Sequence, residues 1–208
     1  MRDFHLPGRS AVFADNGMCA TSHPLAANVA INLLEQGGNA VDAAIGAAVL
    51  LGICEPQMTG IGGDCFALIK RPDSDEIVGL NASGRAPAGL SAADLRAAGY
   101  KTMPEREAAA VTIPGAVDGF CRLQGDMGTL TMAEVLAPAI HYAEAGIPVA
   151  PRVAQDWGEE AYEFKGRARE IFLKDGRPYR VGEHFRVPGQ AEVLRRIAKE
   201  GRAGFYEG

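Results

Sequence analysis

The spacing of apolar residues predicts two helices near the start of the chain. In the first, apolar side chains recur every three or four positions, as on one helix face: Leu25, Val29, Leu33 and Leu34. The glycines at 37–38 favour a helix end, because glycine readily adopts the left-handed conformation that closes many helices. We expect Thr21 or Ser22 to cap the first turn with its hydroxyl oxygen.

The second helix is predicted to be buried on most of its circumference. Asn39 is a favourable helix cap, and Asp42 follows three residues later in the arrangement of a capping box. Residues 43–51 are then all small or apolar, so every side of the helix is suited to contact with protein. Pro56 marks its end.

A glycine-rich loop and a β-hairpin are predicted next. Residues 60–63 are Gly-Ile-Gly-Gly, and two strand-like segments follow at 65–70 and 76–81. Phosphate-binding glycine loops follow a strand and open a helix, whereas this loop follows a predicted helix and opens a strand. We therefore interpret it as a close passage of backbone beside the second helix, with a nucleotide-binding module as the alternative.

The rest of the chain is predicted to be mainly helical. Ser91 with Asp94, and Thr131 with Glu134, have the spacing of capping boxes, and the second pair opens a helix that contains Pro138. The remaining predicted elements are helices at about 115–124, 151–164 and 189–200, and a short strand with a turn at 171–176.

These elements predict an α+β fold that is incomplete. One hairpin and one short strand cannot form a sheet that covers the two opening helices. The sequence also stops soon after the apolar aromatic pair Phe205-Tyr206. We therefore expect residues 1–208 to be the amino-terminal portion of one larger domain.

Composition and charge exclude several classes of protein. The chain of 208 residues is 47% hydrophobic and 23% charged, which is typical of a globular domain and excludes a disordered one. The net charge of −5 is unsuited to binding nucleic acid. The longest apolar run, residues 43–54, has about 12 residues, and crossing a membrane takes about 20. We expect neither a nucleic-acid nor a membrane partner.

No cofactor and no secretion signal are predicted. The cysteines lack the Cys-x-x-Cys spacing of zinc sites and are interpreted as reduced, mainly buried thiols: Cys19, Cys54, Cys65 and Cys121. The first eight residues contain charges and a proline where a secretion signal needs an apolar stretch. This composition favours a cytoplasmic location.

A series of short segments along the chain resembles one known family. The first, at 35–44, is Glu-Gln-Gly-Gly-Asn-Ala-Val-Asp-Ala-Ala, and it is similar to the amino-terminal signature of the gamma-glutamyltranspeptidase family. Further similar segments follow in order at 55–57, 60–63, 66–69, 85–88, 113–119, 136–140 and 204–208. Together, in colinear order, they are far more specific than any one of them.

The resemblance implies an amino-terminal-nucleophile hydrolase, in which two stacked sheets lie between helical layers in an αββα sandwich. Such an enzyme is made as one precursor that cuts itself into a large and a small subunit. The nucleophile is a threonine that begins the small subunit, in a Thr-Thr-His sequence, and its α-amine serves as general base. We expect this threonine beyond the present chain, which would then contain no catalytic residue and be inactive alone. The expected partners are the remainder of the same precursor and a small-molecule amide substrate.

The triplet Thr21-Ser22-His23 superficially imitates the nucleophile sequence. Cleavage before Thr21 would release a peptide of only twenty residues, and the family signature follows this triplet when it should precede the nucleophile. We therefore interpret the triplet as a helix cap.

Arg85 is the residue that the resemblance suggests for substrate binding. Family members recognise the substrate α-carboxylate with an arginine in the pattern aromatic-Arg-Glu-x-Ala-Pro. Aligned on Ala86-Pro87, this chain has Ser83 at that position and Arg85 two residues later. In extended backbone two residues span about 6.6 Å, a large displacement for a two-pronged contact, although Gly84 permits a bulge. Two roles therefore stay open for Arg85: a ligand of the substrate carboxylate, or a residue that forms a structural ion pair.

The sequence thus predicts part of an enzyme that hydrolyses or transfers an acyl group, expected to be the gamma-glutamyl group of an amide such as glutathione. The departure at Ser83 leaves an acylase with non-glutamyl specificity as one alternative. A non-catalytic binding or regulatory domain that keeps half of the fold is the other.

Overall fold

The computed structural model describes residues 11–207 as a helix-rich α+β fold, in agreement with the predicted class. Its helices are α1 (Pro24–Glu35), α2 (Ala40–Cys54), α3 (Ala92–Ala97), α4 (Ala116–Met127), α5 (Met132–Ala145), α6 (Pro151–Glu160), α7 (Arg167–Phe172), α8 (Pro188–Glu200) and α9 (Ala203–Tyr206). Its strands are β1 (Cys65–Lys70), β2 (Ile77–Ala82), β3 (Ile147–Pro148) and β4 (His184–Phe185), paired as β1–β2 and β3–β4. The first eight residues, on which the expected cytoplasmic location rests, and Gly208 lie outside the described residues.

The cap of α1 differs from the predicted one. His23 holds the capping position, and its Nδ1 accepts a hydrogen bond from the backbone N–H of Leu25 at 3.2 Å. The hydroxyl of Ser22 donates instead to Glu55 Oε2 at 2.6 Å. The prediction that Thr21 or Ser22 caps this helix is therefore wrong, because the helix begins at Pro24 and the capping position falls on the histidine.

The capping box of α2 and its deep burial are confirmed. The Asn39 side chain accepts hydrogen bonds from the N–H groups of Val41 and Asp42, and Asp42 Oδ2 accepts one from the Asn39 N–H at 2.9 Å. The helix packs against α1, α4 and α5. A Cβ at Gly46 would lie 2.3 Å from Leu33 Cδ1, so the glycine is what allows α1 to approach this closely.

The predicted hairpin is formed by β1 and β2 in antiparallel register, from Cys65 opposite Ala82 to Lys70 opposite Ile77. The inner face packs on the main core and on α4, with Cys65, Ala67, Ile69 and Leu80. The outer face is open and carries three large apolar side chains beside Lys70 and Asn81, with Phe66 64%, Leu68 82% and Ile77 62% exposed. An apolar sheet face of this kind is unusual on a monomeric soluble protein.

Most of the remaining predicted helices are confirmed. Those expected at 115–124, 151–164 and 189–200 correspond to α4, to α6 with a 3-10 turn at Ala161–Glu163, and to α8. Ser91 caps α3, and Thr131 with Glu134 forms the capping box of α5. Within residues 11–207, no helix has the length and apolarity needed to span a membrane.

The strand predicted at 171–173 is wrong, whereas the turn after it is confirmed. Phe172 ends α7, and its ring packs against Trp157 and Phe185 in a separate aromatic cluster. Three consecutive apolar residues are too few to distinguish a strand from the last turn of a helix. The turn at 175–176 is closed by the pairing of Lys174 with Arg177.

Candidate functional site

The backbone that follows β2 is held directly against the segment that leads into α4. The N–H of Ile113 donates to the carbonyl oxygen of Arg85 at 2.9 Å, and the Thr112 hydroxyl donates to the carbonyl oxygen of Ser83 at 3.3 Å. Gly84, between these contacts, has a φ of +80°, and a Cβ there would lie 1.9 Å from the Ile113 carbonyl oxygen. The backbone is therefore not extended through Gly84, and the displacement estimated above for an extended segment does not apply.

This backbone forms one wall of a cleft of about 570 Å³. The end of β2 and the segment after it, α4, and α9 with the residue before it supply its polar side chains: Asn81, Ser83, Arg85, Asp118, Arg122, Arg202 and Tyr206. Arg85, for which the resemblance left a substrate-binding and an ion-pair role open, lines this cleft.

Three arginines line the cleft, and only two of them have an acidic partner in the part of the chain that the structure describes. Arg122 bonds to Asp126 at 2.6 Å and Arg202 to Asp118 at 2.5 Å. Arg85 is exposed, and among residues 11–207 no carboxylate lies within ion-pair distance of its guanidinium. Within those residues, the structure gives no support to the ion-pair interpretation of Arg85.

Asp118, Arg202 and Tyr206 form a linked group that also lines the cleft. The Tyr206 hydroxyl donates to the carbonyl oxygen of Pro114 at 2.6 Å and accepts from the backbone N–H of Asp118 at 3.1 Å. The Arg202 guanidinium lies 4.7 Å from the centre of the Tyr206 ring. Sequence reasoning did not find this group, because its members are 84 to 92 residues from their partners and no local pattern marks them.

The glycine-rich loop lies beside α2 and holds the start of α4. A Cβ at Gly52 of α2 would lie 3.1 Å from the Cα of Gly60, which confirms the predicted close passage of backbone. The carbonyl oxygen of Gly63 accepts hydrogen bonds from the N–H groups of Gly115 and Ala116 at 3.1 and 3.0 Å. The loop follows helix α2 and precedes strand β1, so the nucleotide-binding alternative, which required a strand before Gly60, is wrong.

The triplet at 21–23 lacks the contacts of an activated nucleophile. The Ser22 hydroxyl donates to Glu55, and His23 uses Nδ1 as the helix cap described above. Burial lowers the pKa of His23, against an opposing effect of the Glu55 carboxylate, so the ring is favoured in its neutral form. These contacts agree with a structural role for the triplet.

The cysteines are free thiols, and the surroundings of Cys54, Cys65 and Cys121 do not favour reactivity. Cys54 is buried, while Cys19, Cys65 and Cys121 are half-buried. Burial, with a smaller effect of Glu55, raises the pKa of Cys54 to about 12, and burial also raises the pKa of Cys65 and Cys121. Among residues 11–207, no group of three or more His, Cys, Asp or Glu side chains is arranged to hold a metal ion.

The chain is similar in sequence to enzymes that are named as proenzymes, and in structure to an acylase. It is 37% identical over 208 residues to an oxamate amidohydrolase proenzyme of Klebsiella pneumoniae and 31% identical over 200 residues to a glutathione hydrolase proenzyme of Bacillus subtilis. These matches cover 96% and 93% of this chain. The structure matches that of a cephalosporin acylase from Bacillus halodurans with a TM-score of 0.90 and 40% identity over 99% of the chain.

A family model described as gamma-glutamyltranspeptidase matches residues 26–208. The chain belongs to the gamma-glutamyltranspeptidase family. It spans 39% and 34% of the length of the two proenzymes and 40% of the acylase chain.

Proposed function

We propose that this chain is the amino-terminal part of a gamma-glutamyltranspeptidase-family enzyme that hydrolyses or transfers an acyl group from a small-molecule amide. A threonine in a later part of the precursor attacks the amide carbonyl, the C–N bond breaks and the protonated amine leaves, and the resulting acyl-enzyme passes its acyl group to water or to a second amine. The present residues contribute substrate recognition and no nucleophile. Family membership and the proenzyme relatives support this proposal.

The observation that carries the proposal is Arg85 in the cleft. A guanidinium binds a carboxylate with two parallel hydrogen bonds, and such charge-assisted bonds are about twice as strong as neutral ones. Arg122 and Arg202 are engaged by aspartates, whereas Arg85 meets no acidic side chain among the described residues. We assign it the α-carboxylate of the substrate.

The outer face of the hairpin supports an αββα sandwich completed by the remainder of the same precursor. Phe66, Leu68 and Ile77 lie on that face and are exposed, whereas the inner face packs on helices. In a sandwich, a second sheet packs about 10 Å away and covers such side chains.

An acylase with non-glutamyl specificity is the second candidate. Ser83 occupies the position at which the family pattern has its arginine, and Arg85 follows across the non-extended Gly84. The Arg85 side chain therefore leaves the backbone at a different position from the arginine of the family pattern. This difference changes which acyl groups fit the cleft. The resemblance to a cephalosporin acylase and an oxamate amidohydrolase agrees with this candidate.

The proposal is tested with the full-length protein and its Arg85→Ala variant. The precursor is expected to separate into two subunits, and replacing the threonine of its Thr-Thr-His sequence with alanine is expected to block both separation and activity. Arg85→Ala is expected to lower kcat/KM on the best carboxylate-bearing amide by about ten- to hundredfold. Arg71→Ala, in the exposed hairpin turn, is the matched control and is expected to have no effect.

Three results decide among the candidates. A higher kcat/KM on gamma-glutamyl amides than on other amides favours the transpeptidase specificity, and the reverse favours the acylase. A reading frame that closes without a Thr-Thr-His sequence would favour the non-catalytic alternative. Unchanged kinetics in Arg85→Ala would exclude Arg85 as a ligand of the substrate.

A further inference from the structure

Tyr206 connects α9 to the start of α4 through both hydrogen-bonding functions of its hydroxyl. The hydroxyl donates to the Pro114 carbonyl oxygen at 2.6 Å and accepts from the Asp118 N–H at 3.1 Å. Burial raises the pKa of Tyr206, so the phenol remains a protonated donor at neutral pH. The contact to Pro114 fixes a residue whose only backbone hydrogen-bonding group is its carbonyl.

The ring of Tyr206 is held in place by a second contact. The guanidinium of Arg202 lies 4.7 Å from the ring centre, and its Nε donates to Asp118 Oδ1 at 2.5 Å. A cation over an aromatic face and a charge-assisted hydrogen bond restrain both side chains. These contacts therefore fix the direction of the hydrogen bond from the Tyr206 hydroxyl to the Pro114 carbonyl oxygen.

From Pro114 the contacts continue to Arg85 through backbone alone. Ile113 donates its N–H to the Arg85 carbonyl oxygen at 2.9 Å. A Cβ at Gly115 would lie 2.5 Å from the backbone nitrogen of Gly84, so the two segments touch with no side chain between them. These contacts link the backbone at Pro114 to residues 84–85.

The position of the Arg85 side chain depends on this backbone. Its guanidinium has no ion pair among the described residues that would hold it in one direction. A two-pronged contact with a carboxylate requires the backbone that carries the arginine to be held in place. A displacement of the guanidinium by about 1 Å is enough to weaken substrate binding at a site of this kind.

We propose that Tyr206 is a positioning residue for Arg85, acting on substrate affinity by fixing the backbone at Pro114. This inference rests on the proposed function, because it requires Arg85 to bind the substrate carboxylate. Tyr206 itself forms no bond to substrate in this role.

The test compares Tyr206→Phe, Arg85→Ala and the double variant in the full-length enzyme. The phenylalanine keeps the ring and its contact with Arg202 and removes only the hydroxyl. Each variant is assayed on an amide that carries an α-carboxylate and on the same amide without it. Tyr142→Phe, a half-buried tyrosine of α5, is the matched control, and thermal unfolding of each variant monitors folding.

We expect Tyr206→Phe to raise KM for the carboxylate-bearing amide about three- to tenfold, with a smaller change in kcat. The carboxylate-free amide and Tyr142→Phe are expected to show no change. In the Arg85→Ala background, adding Tyr206→Phe is expected to change KM by less than about twofold, because the two residues act through one contact.

Three results would overturn the inference, and they are distinguishable. If Arg85→Ala abolishes the preference for the carboxylate-bearing amide while Tyr206→Phe resembles the unaltered enzyme, the positioning role alone fails. If the unaltered enzyme shows no preference for the carboxylate, or Arg85→Ala does not change it, the proposed function fails as well. Equal losses on both amides in Tyr206→Phe would indicate a purely structural role and also overturn the inference.

Discussion

The carboxylate of Asp42, in the first turn of α2, accepts a hydrogen bond from the backbone N–H of Thr129, 87 residues further along the chain, at 2.9 Å. The same oxygen, Oδ2, also accepts from the N–H groups of Asn39 and Leu130 at 2.9 and 3.2 Å. One fully buried carboxylate therefore joins the start of α2 to the loop that leads into α5.

Removing this carboxylate is expected to destabilise the fold strongly. Asp42→Ala leaves three partly buried N–H groups without their charged acceptor, and we expect a loss of about 3 to 5 kcal/mol in the free energy of unfolding. Asp42→Asn keeps an acceptor oxygen without the charge, so its loss is expected to be smaller. Urea unfolding of the purified protein provides the measurement.

Asp73→Ala is the matched control for Asp42, because Asp73 is exposed in the hairpin turn. Its effect is expected to stay within about 0.5 kcal/mol. Equal stability of Asp42→Ala and Asp73→Ala would contradict the role assigned to the buried carboxylate.

Gly84 and Gly182 allow two reasons for a required glycine to be compared: a left-handed backbone conformation and a lack of space for a side chain. Both have a φ of +80°, but a Cβ at Gly84 would lie 1.9 Å from a backbone oxygen, whereas one at Gly182 meets no atom within 4 Å in the described part of the chain. Gly182→Ala is expected to cost about 1 to 2 kcal/mol from backbone strain alone. Gly84→Ala adds a clash that no side-chain rotation relieves, for a total of about 3 kcal/mol or more.

The free energies of unfolding of the two glycine variants, measured under identical conditions, check this difference. Gly62→Ala serves as the reference without strain, since its φ is not in the left-handed range and a Cβ there meets no described atom within 4 Å. A Gly84→Ala loss no greater than that of Gly182→Ala would show that the approach of Ile113 is not close in solution.

Local signals in the sequence were sufficient for most of the helices and the hairpin. Asn39 with Asp42, and Thr131 with Glu134, are capping boxes whose partners lie three residues apart, so each can be identified without tertiary information. The alternation in β1 likewise follows from side chains pointing to opposite faces of a strand.

The elements that the sequence did not predict depend on distant partners. β3 and β4 have two residues each and exist through pairing across about 37 positions, which leaves no period to detect. Tyr206 becomes part of the cleft only because α9 packs near Pro114, 92 residues away. Arg85 was singled out because the resemblance suggested a role for it, whereas no pattern in the sequence pointed to Arg202.

The stability of the fold is expected to decrease as the pH falls below about 6.5, through His23. Burial lowers the pKa of His23 below its ordinary value of 6.5, so as the pH falls the unfolded chain takes up its proton first. This histidine therefore contributes full stability above about 6.5, and the contribution is lost as the pH falls toward the folded pKa. Protonation also removes the Nδ1 acceptor that caps α1 through the Leu25 N–H.

The measurement is the free energy of unfolding at a pH of about 7.5 and of about 5.5, on either side of the ordinary histidine pKa. His23→Asn keeps a capping acceptor that does not titrate in this range, so we expect a smaller loss of stability between the two conditions than in the unaltered protein. His141→Asn, on the exposed side of α5, is the control and is expected to keep the original dependence. If His23→Asn and the unaltered protein lose the same free energy over this interval, the groups responsible lie elsewhere. The protonation of His23 would then make no contribution to the loss of stability between the two pH values.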